Sequence, residues 1–168
     1  MGEMKRIGIT GHQRLPAPSN WQWVEKAMAS VLSALPDELT GFTSLALGAD
    51  QLFAELILRR GGALTVIVPF TDYETKFAEG TDRDSYKRLL AQAATVEVLH
   101  STGSNREAYF KAGKQVVIRS ELLIAVWDGK PAAGFGGTAD VVGYARQRGT
   151  PVVHIDPINR TVNESNYD

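Results

Sequence analysis

The sequence predicts an α/β protein, a three-layer Rossmann-like sandwich built on a mostly parallel central sheet of about six strands. Six apolar runs rich in β-branched residues indicate strands that are buried on both faces. They alternate with five segments that have helical spacing, and strands joined by helices of ten or more residues form parallel sheets through right-handed crossovers. At 168 residues, 43% of them hydrophobic, the chain has room for one such domain and not for a second.

The predicted strands are short and dense in valine, isoleucine and leucine. The first reads KRIGIT and the sixth reads PVVHID. Such runs are typical of strands in the interior of a parallel sheet. In chain order, the predicted strands cover Lys5–Thr10, Phe42–Leu47, Leu64–Phe70, Thr95–His100, Glu121–Asp128 and Pro151–Asp156.

The five predicted helices lie between successive strands, and two of them carry clear stop signals. RRGG and RQRG place arginine in the last turn and glycine just beyond it, which favours helix termination. One domain is therefore predicted over residues 1–168, with a loosely ordered polar tail from about residue 157. The helices are predicted over Trp21–Leu35, Gln51–Arg60, Asp82–Ala93, Arg106–Arg119 and Ala139–Arg148.

The composition argues against several classes of function. Eighteen basic and 19 acidic residues give a net charge of −1, so neither broad nucleic-acid binding nor an anionic membrane surface is expected. The absence of cysteine and the presence of only three scattered histidines argue against a metal centre and a disulfide framework. The sequence shows no signal-peptide pattern and no apolar run of about 18 residues, which predicts a cytoplasmic protein. No cofactor is predicted.

Polar residues and glycines that could bind a ligand cluster in the loops that follow the predicted strands. In an open parallel sheet, ligands bind beyond the carboxyl ends of the strands, where the strand order reverses. The first such loop, TGHQRLP, contains Gly11, His12 and Arg14. An arginine beside exposed backbone amides can hold a phosphate through two contacts. The alternatives are an ordinary surface arginine and a histidine with a structural hydrogen bond.

The glycine-rich loop after the fifth strand, GKPAAGFGGTADVV, is the main candidate for a ligand site. Gly136 and Gly137 allow the backbone to turn and to approach a ligand closely, and Thr138 is placed to cap the following helix. A helix N-terminus carries about half a positive charge, and Lys130 adds a full one, so phosphate is the predicted guest. The alternative is a crossover that needs glycine for tight packing of the helix on the sheet.

Acidic and aromatic residues complete the predicted site. Asp140, in the first turn of the last helix, suits the helix dipole or reaches the ribose or the glycosidic bond of a ligand. Asp50 and Glu55 are further candidates for ligand contact. Tyr73 and Phe77 are aromatic, and two roles are open for them: a lid that stacks on a ligand base, or a cover for the sheet edge. The predicted ligand-binding residues are Gly11, His12, Arg14, Gly48, Asp50, Tyr73, Asp128, Gly134, Gly136, Gly137 and Thr138.

One face of the fourth predicted helix is expected to border the glycine-rich loop. Arg106, Tyr109 and Gly113 are spaced by three and four residues and therefore share this face. Trp127, at the end of a predicted strand, is interpreted as a core residue.

Four stretches together resemble the SLOG superfamily, Rossmann-like domains named for the Smf (DNA-processing protein A) and Lonely Guy branches. The stretches are GITGHQRL, SLALGADQLFAELILRRGG, VIVPF with Tyr73 downstream, and SELLIAVWDGKPAAGFGGTADVVGYARQRGTPVVHI. The most specific part lies between Leu122 and Tyr144. The resemblance implies binding of a nucleotide or a nucleotide-derived small molecule, with its phosphate on the glycine-rich loop. It also implies self-association into a homodimer or a larger homo-oligomer.

The Lonely Guy branch supplies an alternative function. These enzymes, once described as lysine decarboxylases, remove the base from nucleoside monophosphates and carry a PGGxGTxxE motif. When Gly137 and Thr138 are aligned with its GT, Val141 occupies the position of the catalytic glutamate, and Asp140 lies one residue earlier. The alternative is therefore a nucleoside 5′-monophosphate N-glycosidase (phosphoribohydrolase) in which Asp140 or Glu55 is catalytic, by stabilising an oxocarbenium-like sugar or positioning water. The Smf branch suggests DNA handling as a third function, and the balanced charge argues against it.

Overall fold

The computed structural model describes residues 5–131 and 137–165, and within them seven strands form one sheet. The strands are β1 (Lys5–Gly11), β2 (Leu39–Thr43), β3 (Ala63–Val68), β4 (Thr95–Val98), β5 (Leu122–Val126), β6 (Val152–Asp156) and β7 (Thr161–Ser165). The helices are α1 (Pro18–Ser33), α2 (Ala49–Arg59), α3 (Thr81–Ala91), α4 (Asn105–Arg119) and α5 (Thr138–Arg148), with a short 3₁₀ helix over Tyr73–Lys76.

The strand order of the sheet is β4-β3-β2-β1-β5-β6-β7. The first six strands in the chain pair in parallel, and only β7 is antiparallel to its neighbour. The chain moves outward from β1 to β4 and then places β5 on the free side of β1. The strand order therefore reverses between β1 and β5, the point at which doubly wound sheets form a ligand crevice. The predicted Rossmann-like three-layer sandwich is confirmed.

Helices cover both faces of the sheet. Helices α1, α2 and α3 pack on one face, where Met28 and Phe53 are fully buried, and α4 and α5 pack on the other. The strand β1 contributes to both faces: Ile7 belongs to the first core, whereas Gly8 faces the C-terminal end of α4. A Cβ at Gly8 would lie 2.4 Å from the Ser120 hydroxyl oxygen. Glycine at this position allows α4 to approach the sheet closely.

Strand β2 lies earlier in the chain than predicted. It pairs from Leu39, opposite Lys5, and ends at Thr43, whereas the predicted strand ran over Phe42–Leu47. Leu45 has a φ of 56°, its amide donates a hydrogen bond of 2.9 Å to the Thr43 hydroxyl, and its side chain is fully buried. The apolar run SLAL is thus mostly an irregular loop that buries Leu45 in the core, which hydrophobicity alone does not distinguish from a strand.

Strand β4 lies at the edge of the sheet, whereas the sequence predicted burial on both faces. Val96 and Val98 are 44% and 43% exposed. Between them, the Glu97 carboxylate accepts two hydrogen bonds, of 2.5 and 2.6 Å, from the Arg119 guanidinium on α4. The composition of β4 is that of an interior strand, but its place in the strand order leaves it half covered.

The polar end of the chain is more ordered than the predicted tail. Thr161–Ser165 form β7 and pair with β6. Asp156 closes the turn between the two strands, because its Oδ1 accepts hydrogen bonds from the amides of Ile158 (2.9 Å) and Asn159 (3.0 Å). Main-chain pairing to a sheet edge therefore orders a segment that lacks apolar periodicity.

Two kinds of feature are absent from residues 5–131 and 137–165. None of the helices there combines the length and the apolar character needed to cross a bilayer. In the same ranges, acidic and histidine side chains do not gather in groups of three or more that could hold a metal ion.

Candidate functional site

A cleft of about 830 Å³ opens at the carboxyl ends of β1, β2, β3 and β5. It lies over the point where the strand order reverses. Its walls come from the loops that follow these strands, from the 3₁₀ helix, and from the start of α5 and one face of α4. Among the predicted ligand-binding residues, those that line the cleft are Gly11, His12, Arg14, Asp50, Tyr73, Asp128, Gly137 and Thr138.

The loop after β1 is fixed to both neighbouring strands. The His12 amide donates to the Val126 carbonyl (3.0 Å), and the His12 carbonyl accepts from the Ala49 amide (3.1 Å). The imidazole Nε2 accepts a hydrogen bond of 3.1 Å from the Asp128 amide, which assigns the ring proton to Nδ1. The loop therefore presents His12 and the exposed Arg14 to the cleft from a rigid support.

The loop between β2 and α2 places a buried carboxyl group at the cleft. Asp50 is 7% exposed, and its Oδ2 accepts hydrogen bonds of 3.3 Å from the amides of Ser44 and Ala46. Burial raises the pKa of Asp50 to about 7, although these two amides and the Thr43 hydroxyl favour the ionised form. Within the described residues, no basic side chain forms an ion pair with Asp50.

An aromatic cluster forms the wall of the cleft beyond β3. Tyr73 packs edge-on against Phe77 and Tyr86, with ring centroids 5.2 and 5.5 Å apart, and it also contacts Phe70 and Tyr109. Burial and the neighbouring Asp50 raise the pKa of Tyr73. Tyr73 and Phe77 are each only 5% exposed, so they form a packed wall and not the lid that the sequence suggested.

The start of α5 faces the cleft without a side-chain cap. The N-cap residue is Gly137, whose φ of −80° and ψ of −174° are extended backbone and which makes no side-chain cap. The Asp140 amide in the first turn donates to the Gly137 carbonyl (3.1 Å). The predicted cap, Thr138, is instead the first helical residue. Gly137, Thr138 and Ala139 line the cleft, with Lys130 nearby in the same connection. Gly134 and Gly136, also predicted to bind ligand, lie outside the described residues.

The loop after β5 is held in place by hydrogen bonds and by a ring contact. Its Lys130 amide donates to Asp128 Oδ1 (2.9 Å), and its Lys130 carbonyl accepts from the Trp127 indole N–H (2.8 Å). Trp127, interpreted from the sequence as core, lines the cleft and packs against the His154 ring, with centroids 5.1 Å apart. These contacts position Asp128 and Lys130 at the mouth of the cleft.

Three predicted site residues do not line the cleft. Gly48 has a φ of 81°, and a Cβ there would lie 2.6 Å from the carbonyl oxygens of His12 and Gln13, so its role is to let two loops meet. Glu55 lies on α2 and pairs with Arg88 at 2.5 Å. Asp140 lies in the first turn of α5, outside the set of lining residues.

The predicted face of α4 does border the cleft. Arg106, Tyr109 and Gly113 all line it, and Gly113 lies against α5, where a Cβ would be 2.6 Å from a methyl carbon of Val141. Lys76, on the 3₁₀ helix, also lines the cleft and was missed from the sequence. Lys76 lies three residues after Tyr73, and this spacing could have indicated that the two side chains share one face of a helical turn.

The cleft concentrates positive charge on a chain that is nearly neutral overall. Two carboxylates line it, those of Asp50 and Asp128, and the Asp50 carboxyl is buried. The lining cations are Arg14, Lys76, Arg106 and Lys130. The cleft therefore favours an anionic ligand locally, where the net charge of the chain gave no indication.

Comparisons with known proteins give likenesses of fold. No protein-family model matches the chain, and no curated protein matches it in sequence. DNA processing protein A from Streptococcus pneumoniae superposes with a TM-score of 0.65 at 13% identity, over 91% of this chain and 50% of that one. The Helicobacter pylori DNA processing protein A, described for its single-stranded DNA binding mode, has a TM-score of 0.64 at 17% identity, over 96% and 68%. The molybdenum cofactor carrier protein of Chlamydomonas reinhardtii has a TM-score of 0.54 at 16% identity, over 90% and 76%.

These likenesses establish the type of fold. The chain shares the Rossmann-like fold of these proteins, the fold that the sequence predicted. It spans half the length of the pneumococcal protein. What binds in the cleft has to be argued from the residues that line it.

Proposed function

We propose that this SLOG-type Rossmann-like protein binds a nucleotide or a nucleotide-derived small molecule in the cleft, with a ligand phosphate at the N-terminus of α5. The observation that carries the proposal is the uncapped start of α5, which faces a cleft of about 830 Å³ at the reversal of strand order. A cleft of this size is within the range of small-molecule sites, about 300–1,000 Å³.

The chemistry at the α5 end of the cleft suits a phosphate. The first amides of a helix lack the usual intrahelical partners, and the N-cap residue Gly137 supplies no side-chain cap to replace them. Arg14 and Lys130 add positive charge from the loops on either side. A guanidinium binds phosphate oxygens through two parallel N–H donors, and each hydrogen bond to a charged group contributes about 1.5–3 kcal/mol.

The chemistry at the other end suits a base. Tyr109 is partly exposed and offers aromatic surface beside the packed Tyr73, and base–aromatic stacking contributes about 1–3 kcal/mol per base. An apolar wall with few polar groups is the usual composition of a pocket that orients a heterocyclic ligand. The start of α5, Arg14 and Lys130 thus lie on one side of the cleft, and the aromatic wall, together with Lys76, lies beyond β3.

Nucleotide titration of an arginine variant tests the proposal. Binding of AMP, GMP, CMP, UMP and ribose 5-phosphate is measured by calorimetry for the wild type, Arg14→Ala and the control Arg59→Ala. Arg59 lies on α2 outside the cleft and is 62% exposed. We expect Arg14→Ala to weaken binding about tenfold or more and Arg59→Ala to leave it unchanged. Absence of binding by all five compounds, or equal losses in both variants, would overturn the proposal.

The hydrolytic alternative has less support. Neither of the acids considered for it, Asp140 or Glu55, lines the cleft. We therefore expect bound nucleoside monophosphates to be recovered intact. Chromatography of an overnight incubation tests this, because release of free base by the wild type but not by Asp140→Asn would restore the N-glycosidase function.

Single-stranded DNA is a second candidate ligand. Two observations favour it: the four cations that line the cleft, and the single-stranded DNA binding described for the Helicobacter pylori neighbour. The algal neighbours, in contrast, are named as carriers of a small molecule. DNA binding predicts that a short oligonucleotide binds more tightly than its mononucleotide and that its affinity falls steeply with salt.

Self-association and location remain proposals. We expect a homodimer or a larger homo-oligomer, and light scattering coupled to size-exclusion chromatography measures it. The cytoplasmic location likewise rests on the sequence prediction.

A further inference from the structure

We infer that Asp50 selects a base that carries an exocyclic amino group, by accepting a hydrogen bond from that group at the end of the cleft remote from α5. The inference rests on the proposed binding of a nucleotide phosphate at α5. It assigns Asp50 to the base, whereas the sequence suggested contact with the ribose.

The position of Asp50 in the sheet order supports contact with the base. Asp50 follows β2, α5 follows β5, and β1 lies between these two strands. Neighbouring strands are about 4.8 Å apart, so the ends of β2 and β5 are about 10 Å apart. In a nucleoside monophosphate the ribose hydroxyls lie close to the phosphate, and the polar edge of the base lies farthest from it. A phosphate at α5 therefore directs the base edge towards Asp50.

The residues around Asp50 also suit the binding of a nucleotide base. Tyr73 adjoins Asp50 closely enough that the carboxylate disfavours ionisation of the phenol. Ser44, Ala46 and Tyr73 line the cleft beside it. A flat heterocycle held against this wall presents its edge to the carboxyl group.

The hydrogen-bond inventory of Asp50 leaves capacity for a ligand donor. A carboxylate has about four acceptor sites, and the chain supplies three donors: the amides of Ser44 and Ala46 and the hydroxyl of Thr43. The chain supplies no cation to this buried group within the described residues. A ligand N–H would supply the missing donor and offset the cost of burying the charge.

When Asp50 is ionised, above its pKa of about 7, an amino group meets this requirement and a carbonyl oxygen does not. An exocyclic amine donates to a carboxylate, whereas the oxo group that replaces it in hypoxanthine or uracil is an acceptor and would face another acceptor. A site built around a polar contact of this kind rejects the mismatched analogue strongly.

The test compares nucleotides with and without this group. Affinities of the wild type are measured at pH 8 for AMP against IMP and CMP against UMP, in which an oxo group replaces the amino group and the neighbouring ring nitrogen gains a proton, and for GMP against IMP, which differ by the amino group alone. In at least one pair we expect the amino form to bind tenfold or more tightly than its partner. Equal binding within all three pairs would overturn this inference and leave the proposed function standing, whereas no binding by any nucleotide would overturn both.

Variants identify the residue responsible. In Asp50→Asn, the amide oxygen can keep the bonds from Ser44 and Ala46, which turns the NH₂ group towards the ligand. We expect the preference for the amino form to disappear or to invert. The control, Asp84→Asn, changes an exposed acid on α3 outside the cleft and should keep the wild-type preference. A preference that persists unchanged in Asp50→Asn would overturn the inference, and the wild-type comparison decides the matter if that variant does not fold.

Discussion

The cleft lies beside the N-termini of two helices, α2 and α5, and the two helix starts differ in how their surroundings bond to the backbone amides. Both helices have glycine as their N-cap residue, Gly48 and Gly137, and neither has a side-chain cap. At α2 the neighbouring amides are satisfied internally, because Asp50 accepts from the preceding loop and the His12 carbonyl accepts from Ala49. At α5 the N-cap residue Gly137 makes no side-chain cap, and Thr138 and Ala139 line the cleft. A glycine N-cap therefore accompanies internally satisfied amides at α2 and a helix start that lines the cleft at α5.

The difference teaches that a glycine before a helix does not by itself indicate a ligand site. Gly48 is needed because two loops meet at backbone contact distance, whereas Gly137 adopts a conformation open to any residue. Four substitutions test this contrast, described below from the largest expected effect to the smallest.

Gly48→Ala should give the largest loss of stability. The new Cβ would lie 2.6 Å from two carbonyl oxygens, and the φ of 81° is unfavourable for alanine. We expect the free energy of unfolding to fall by about 4 kcal/mol, as measured by urea denaturation. Gly149→Ala is the matched control: its φ is 75° but nothing lies within 4 Å, so a loss of only about 1 kcal/mol is expected. Equal losses would mean that the contact between the loops is unimportant.

Asp50→Asn should stabilise the protein at alkaline pH. The folded protein keeps the Asp50 proton up to about pH 7, whereas the model value for an unperturbed aspartate is 3.8. The stability linked to this proton is fully present below about pH 4 and is lost as the pH rises through about 7. Between pH 5 and pH 8 the wild type should therefore lose about 2–3 kcal/mol relative to Asp50→Asn.

Denaturation at several pH values checks the sign of this effect. The lowered pKa values of Glu97 and Asp156 act in the opposite direction, and their effect appears only at more acidic pH. A wild type that gains stability relative to Asp50→Asn between pH 5 and pH 8 would contradict the assignment.

Gly137→Asp should close the open helix start and thereby separate stability from binding. A carboxylate at the N-cap accepts from the first amides of α5 and should add a few tenths of a kcal/mol to the free energy of unfolding. The same carboxylate occupies and repels the proposed phosphate position, so nucleotide affinity should fall about tenfold or more. Gly137→Ala, which adds no acceptor, should retain binding. Undiminished nucleotide binding by Gly137→Asp would place the phosphate elsewhere.

The smallest effects concern the support of α5 by α4. Gly113→Ala directs a methyl group to within 2.6 Å of a Val141 methyl and should cost about 1 kcal/mol. Gly143→Ala, on α5 with nothing within 4 Å, should add about 0.5–1 kcal/mol through helix propensity. Thermal denaturation of the pair gives the sign of each change, and a destabilised Gly143→Ala would show that α5 does not tolerate ordinary helix formers at this face.

Much of the site could be predicted because loops after parallel strands meet at one sheet edge. That rule brought Arg14, Asp50 and Thr138 to a single cleft from distant parts of the chain. It does not resolve where a side chain in the first turn of a helix points, so Asp50 and Asp140 looked equivalent in sequence although only Asp50 lines the cleft. It also could not show that Glu55 is paired with Arg88, because that contact joins residues 33 positions apart.

The alternation of apolar runs and helical segments by itself determined the Rossmann-like layers and most of the elements, since burial periodicity is a local property of the chain. Only the tertiary structure decided the strand order, and with it the exposed edge at β4, the point of reversal between β1 and β5 and the burial of Asp50. Those features depend on which distant segments pack together, and the free energy of that packing is not encoded in any single stretch of sequence.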